Sequence, residues 1–192
     1  MYEIRVHGRG GQGVVTAAEL LSVAAFESGA YAQAFPSFGS ERTGAPVTAF
    51  CRIDTKPIRL REPVLRPDTV IVQDSTLIRH VDVFAGRRPD GWVLLNSRLD
   101  WDRLGLDEFD LPRDRVVLLP ASRLASVHVG RPLPNAVLIG GFAALSGGLV
   151  TLDAVVAAIA GRFRGGVAQG NIAAAREAYG LVAAATREDA RA

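Results

Sequence analysis

Cysteine is almost missing from this chain: Cys51 is the only one in 192 residues. One thiol closes no internal disulfide, and it cannot build an iron–sulfur cluster or a thiolate zinc site, each of which takes several ligands. Its setting, VTAFCRI, is strand-like, so it reads as a small buried hydrophobe. Histidine is scarce too. His7, His80 and His128 lie far apart with no metal-ligand spacing, and each reads as structural. Lysine is nearly absent, Lys56 being the only one, while the arginines are scattered from Arg5 to Arg191 at a formal net charge of +2. No basic patch or stripe forms, which argues against nucleic acid as a partner. Long hydrophobic runs are missing as well. The most apolar stretch, residues 136–150, holds four glycines and is shorter than the roughly 20 residues that span a bilayer; it reads as a buried helix, with no membrane as partner. The opening MYEIRVHG has neither a basic n-region nor an apolar h-region, so the expected location is the cytoplasm.

What is present is an alternation. YEIRVHG (2–8) reads as a strand, Gly13–Ser28 as a helix, AYAQAF (30–35) as a weaker strand, and VTAFCRID (47–54) as another, with a small strand suggested at 57–60. TVIVQD (69–74) has the β-branched character of a buried parallel strand. Behind it, Leu77, Ile78, Val81 and Phe84 recur at helical spacing. GWVLLNS (91–97) and RVVLLPAS (115–122) repeat the apolar run with a small polar end. Beyond Asn135 the pattern is helical, with later pieces near 151–163 and 170–186. The last of these aligns Ile172, Ala175, Tyr179 and Val182, a face suited to the domain's own sheet. Length and pattern predict one domain over 1–192 of the α/β class: a Rossmann-like, doubly wound, mostly parallel sheet with helices on both faces. Ligands of such sheets bind beyond the carboxyl ends of the strands. Here those ends carry Gly8–Gly13, Asp74–Ser75, Asn96–Ser97 and Ala121–Ser122. For the last three, helix capping competes with ligand binding as the explanation.

The segment GRGGQG (8–13) has the spacing G-x-G-x-x-G between a strand and a helix, which lets backbone N–H groups reach a phosphate at a helix N-terminus. A dinucleotide site also needs an acidic residue at the tip of the second strand. That tip falls at Phe35–Pro36, and Glu27 is inside the helix, so NAD is disfavoured. A stand-alone Rossmann-like nucleotide-binding protein and a purely structural turn remain open alternatives. The loop FPSFGSERTGAPV (35–47) is too polar and long for a hairpin, and its Phe35 and Phe38 require that at least one packs on something.

Together, GRGGQGVVTAAELL (8–21) and FGSERTGAPVTAFCRID (38–54) resemble the γ subunit, or γ domain, of the 2-oxoacid:acceptor (ferredoxin) oxidoreductases. The likeness spans the chain in layout and is sharpest over the first 54 residues. It implies a non-catalytic subunit of a complex that oxidatively decarboxylates a 2-oxoacid (pyruvate, 2-oxoglutarate, a branched-chain or an aryl 2-oxoacid) with coenzyme A, giving acyl-CoA and carbon dioxide. The equivalent component of indolepyruvate oxidoreductase is the alternative within the family. The implied partners are thiamine-binding α and β subunits, a ferredoxin-like δ subunit and, as an optional component, a further electron-transfer subunit. Thiamine diphosphate, magnesium and [4Fe-4S] clusters then belong to those partners, with no cofactor held by this chain alone. Coenzyme A would occupy a shared site, cradled by the backbone at Gly10, Gly11, Gln12 and Gly13, with Arg9 or Arg42 pairing a phosphate. The SERTGAP loop is expected to form a subunit contact near the active-site entrance. Thr43 departs from the family pattern, which often has a basic residue there.

Overall fold

The computed structural model describes residues 1–37 and 43–189. Six strands form one sheet in the order β2-β3-β1-β4-β5-β6: β1 (Tyr2–Arg9), β2 (Tyr31–Pro36), β3 (Pro46–Asp54), β4 (Thr69–Val72), β5 (Trp92–Asn96) and β6 (Val116–Leu119). The strands β1, β4, β5 and β6 are mutually parallel, while β3 runs antiparallel between β1 and β2. The expected doubly wound α/β sheet is therefore present, and mostly parallel. Cys51 lies in β3 and is fully buried, as its setting predicted. No strand forms at 57–60.

The two faces of the sheet are covered unequally. Ile4 and Val6 of β1, Ile71 of β4, Leu94 of β5 and Leu119 of β6 face the larger core, beneath α1 (Val14–Glu27), α3 (Ala121–Val129), α4 (Asn135–Leu145), α5 (Leu152–Arg162) and α6 (Gly165–Asp189). Val14, Ala18, Leu21 and Ala25 form the buried stripe of α1. α4 is buried on every side, as its apolar composition predicted. Having no polar face, it lies between the sheet and α6. The stripe on α6 therefore packs chiefly on α4, and it reaches the sheet, where it was expected, only at β6. No helix among the described residues is long and apolar enough to cross a membrane.

On the second face, Val70, Val72, Val93 and Leu95 pack under Leu77, Ile78, Val83, Leu104 and Leu106, supplied by short turns and the single-turn helix α2 (Trp101–Leu104). The helix expected through Phe84 stops after one 3₁₀ segment, Ser75–Arg79. Beyond it, the carbonyls of Val83 and Ala85 accept hydrogen bonds from Arg5 Nη2 at 3.1 and 2.5 Å. Arg5 is a buried cation, and those carbonyls replace the water it has lost.

Arg5 Nε also donates to His7 Nε2 at 3.0 Å, so the His7 ring must accept there and stay neutral. Burial, and then the Arg5 charge, push the His7 pKa down to about 3. Below the ordinary value of 6.5 the unfolded chain takes up a proton that the folded one refuses, so stability falls as pH drops from 6.5 towards 3. One such group contributes a slope of up to about 1.4 kcal/mol per pH unit. Urea midpoints measured at pH 7 and pH 5 should show this loss. His7→Gln, which keeps an acceptor for Arg5, should flatten the slope; an unchanged slope would mean that other groups carry it.

Candidate functional site

β1 ends at Arg9, and the chain turns through Gly10–Gly13 into α1. This turn stands where the topology switches: α1 carries the chain to β2 on one side of β1, while β4 pairs with β1 on the other. The returning segment of the second motif completes it. Gly10 N–H donates to the Ala45 carbonyl at 2.9 Å, the Gly10 carbonyl accepts from Gly44 N–H at 3.1 Å, and Gly10 is bridged to Thr43. The two sequence motifs thus form one object.

Its inner strut is a set of side chains around Asp74. Gln12 Oε1 accepts from the Arg9 N–H at 2.7 Å, and Gln12 Nε2 donates to Asp74 Oδ2 at 2.9 Å. Arg9 Nε reaches the same carboxylate oxygen at 3.1 Å, while its Nη1 and Nη2 donate to the Gly44 carbonyl and Thr76 Oγ1. Asp74 Oδ1 accepts from the Thr76 N–H at 3.0 Å and from Thr76 Oγ1 at 2.6 Å. Burial alone would raise the Asp74 pKa. Hydrogen bonds from Thr76 and Gln12, together with the Arg9 charge, outweigh it and hold the carboxyl below its usual value.

What remains for a ligand is the start of α1. Gly13, at φ 74°, opens the helix with no capping side chain, and no acidic residue sits in the first turn. The Gly10 and Gln12 N–H groups are used inside the turn, Gln12 donating to the Arg9 carbonyl at 3.0 Å. Among the described residues, the Gly11 and Gly13 N–H groups have no such partner. They join the first-turn donors of α1 beside an open pocket of about 310 Å³ that Val15, Thr16 and Val47 help to line. Uncapped donors and the helix dipole favour an anion here. A Cβ on Gly13 would stand 2.7 Å from Asn135 Nδ2, and positive φ strains any other residue, so both terms hold this position to glycine.

Of the residues expected at the site, Gly11 and Gly13 present donors, whereas Arg9, Gly10 and Gln12 shape the turn. Arg42 lies outside the described residues, as does Phe38. Phe35 packs on Phe50 with ring centroids 5.2 Å apart. The second strand ends at Pro36 without a carboxylate, as read from the sequence. Asp74 does cap the 3₁₀ segment, and Asn96 Oδ1 accepts from the Ser122 N–H at the start of α3, so those tips are filled by the protein itself. Two residues escaped sequence reasoning. Gln73, buried against Gly8, has no partner for either side-chain amide atom, and Asn135 abuts Gly13 from the start of α4. Neither carries a signal in the sequence beyond its place at a strand tip or helix start. Among the described residues no group of three or more His, Cys, Asp or Glu side chains could hold a metal ion.

Residues 3–181 match the model of the pyruvate ferredoxin/flavodoxin oxidoreductase family. The chain belongs to that family. It is 48% identical over 179 residues to pyruvate synthase subunit PorC of Methanothermobacter marburgensis, covering 93% of this chain and 96% of the relative. It is 45% identical, at the same coverage, to the common γ subunit of the pyruvate/ketoisovalerate oxidoreductases of Pyrococcus abyssi. The crystal structure of pyruvate oxidoreductase subunit PORC from Thermotoga maritima superposes with a TM-score of 0.80 at 35% identity, covering 93% of this chain and 95% of that one. The resemblance carried by the glycine motif and the SERTGAP segment is therefore a true relationship: this is a γ-type chain of the 2-oxoacid:ferredoxin oxidoreductases.

Proposed function

We propose that this γ-type chain works in a complex that oxidatively decarboxylates a 2-oxoacid to acyl-CoA, and that it supplies assembly contacts and part of the coenzyme A site. The names of its relatives favour pyruvate or a branched-chain 2-oxoacid over indolepyruvate as substrate. Thiamine diphosphate, magnesium and the iron–sulfur clusters belong to the α, β and δ partners in this reading. The observation that carries the coenzyme A assignment is the uncapped start of α1, with the Gly11 and Gly13 N–H groups unpartnered among the described residues and no ribose-gripping acid at the end of β2. A diphosphate seated there gains backbone hydrogen bonds and the positive end of a 14-residue helix. Arg9 acts at second hand, holding the turn in shape while adding positive charge nearby.

Gly11→Asp tests this in the assembled enzyme. A Cβ at Gly11 meets nothing within 4 Å, so the substitution brings a carboxylate to the pocket without a collision, although φ 93° adds some strain. The coenzyme A KM should rise by an order of magnitude or more, about 1.4 kcal/mol per tenfold, with the KM for the 2-oxoacid unchanged. An unchanged coenzyme A KM overturns the assignment. For the SERTGAP loop, deletion of residues 37–44 should weaken assembly with the thiamine-binding subunits; intact assembly and turnover would remove its proposed contact role.

A further inference from the structure

β2 is the outer strand of the sheet, and among the described residues no strand pairs with its free edge. Its six residues, YAQAFP, include no Lys, Arg, Asp or Glu. Open edges are usually guarded by charge, by shortness or by a covering element, because their unpaired backbone groups recruit other chains. The opposite edge follows that practice: β6 has only four residues and begins beside Arg115. β2 is left unguarded.

The ladder fixes which backbone groups face outward. Ser37 N–H donates to the Thr48 carbonyl at 2.8 Å, in the register that sets Tyr31 opposite Asp54. Hydrogen-bonded and non-hydrogen-bonded pairs alternate along an antiparallel ladder, so Tyr31, Gln33 and Phe35 turn their backbone groups towards β3. Ala32, Ala34 and Pro36 turn theirs outward. Pro36 has no N–H, and before the strand the Ala30 N–H is spent on the Ala25 carbonyl at 3.0 Å. The outward donors are therefore those of Ala32 and Ala34, each with its own carbonyl beside it.

We propose that this edge pairs with the same edge of a second copy of the chain, antiparallel about a two-fold axis at Gln33. One register suits the pairing. With Gln33 opposite Gln33 of the second copy, Ala32 faces Ala34 of the second copy and Ala34 faces its Ala32. Every outward N–H and carbonyl of the two alanines is then matched. A shift of two residues either way sets Ala32 against Pro36, or Ala34 against Ala30, residues with no free N–H to give back. The side chains agree with the register. Tyr31, 50% exposed, falls opposite Phe35 of the second copy, an aromatic cross-strand pair, and no like charges meet. The edge is thus self-complementary, as a closed two-fold contact requires. None of these residues belongs to the glycine turn, so the inference stands apart from the coenzyme A reading.

The test is disulfide trapping in the full chain, alone and in the assembled complex. In a non-hydrogen-bonded pair the Cα atoms stand about 4.5 Å apart, within the span of roughly 4.4–6.8 Å that a disulfide bridges. Gln33→Cys should therefore link two copies under a mild oxidant, and a reductant should release them. Tyr31→Cys is the register control. Its equivalent in the second copy lies about 13 Å along the strand and should not link. Cys51 is fully buried and does not compete. Ala34→Pro removes an outward donor without touching the β3 ladder. It should raise the dimer dissociation constant in sedimentation by about tenfold or more, with an unchanged circular dichroism spectrum. No link from Gln33→Cys, equal linking by Tyr31→Cys, or a dissociation constant that a folded Ala34→Pro leaves unchanged overturns the pairing. Linking by the chain alone that disappears in the assembled complex gives the edge to a partner subunit and overturns it too. The trapping pair decides even where Ala34→Pro fails to fold.

Discussion

Replacing Gly140 by alanine should destabilise the chain, although alanine is the better helix former by about 1 kcal/mol. Gly140 lies within α4, where α6 crosses it. A Cβ there would fall 2.6 Å from Ala175 Cα and 2.7 Å from the Ala175 carbonyl carbon, and still closer to the carbonyl oxygen. All three atoms are backbone, so no side chain can rotate away and the helices must separate. Overpacking of this kind costs up to about 3 kcal/mol, and the propensity gain offsets only part of it. The expected net loss is about 2 kcal/mol, or a fall in Tm of about 4–8 °C for a chain of this length. Gly180→Ala on α6 is the control. Nothing stands within 4 Å of its Cβ position, so propensity should act alone and raise stability by roughly 0.5–1 kcal/mol. If both variants gain stability, α4 and α6 are not in backbone contact at Gly140, and the tight packing described for them is wrong.

Asp74→Ala should release the glycine turn. The carboxylate is the common partner of Arg9, Gln12 and Thr76, and its removal leaves their donors without an acceptor in a partly buried place. Charge-assisted bonds of this kind contribute about 1.5–3 kcal/mol, and Asp74→Ala should lower the unfolding free energy by about 2 kcal/mol. Asp74→Asn retains one acceptor oxygen and should recover part of it. Amide exchange should quicken at Gly11–Thr16 while the central strands stay protected. Because the folded Asp74 pKa is lowered, its contribution is complete above the ordinary value of 3.8 and is lost as pH falls below that. Acid should therefore loosen the turn in the wild type and leave Asp74→Ala indifferent over the same range. Exchange at Gly11–Thr16 that is equal in wild type and variant would show that the turn holds itself without the carboxylate.

Much of the candidate site was legible because its chemistry is local. Glycines at residues 8, 10, 11 and 13 after a strand imply a turn in which backbone donors face outward, and the missing acid at Phe35–Pro36 is visible by inspection. Which donors remain available was not legible. Gln12 is one residue within the motif, yet its side chain is the strut that ties Arg9 to Asp74 across 65 residues of sequence. Asn135 is an ordinary helix residue until α4 brings it against Gly13. The helix expected from Leu77, Ile78, Val81 and Phe84 is a single 3₁₀ segment, and the stretch beyond it gives the Val83 and Ala85 carbonyls to Arg5, far upstream.

The sequence by itself determined the alternation of strands and helices, the buried apolar α4, the inert lone cysteine, and the family to which the chain belongs. Each of these follows from short-range periodicity, from composition, or from a motif contiguous along the chain. Tertiary structure alone decided the insertion of β3 between β1 and β2, the place of α6 outside α4, and the assignment of each loop donor to protein or to ligand. Those outcomes depend on which distant groups satisfy buried hydrogen-bonding atoms, and a linear pattern does not encode that pairing.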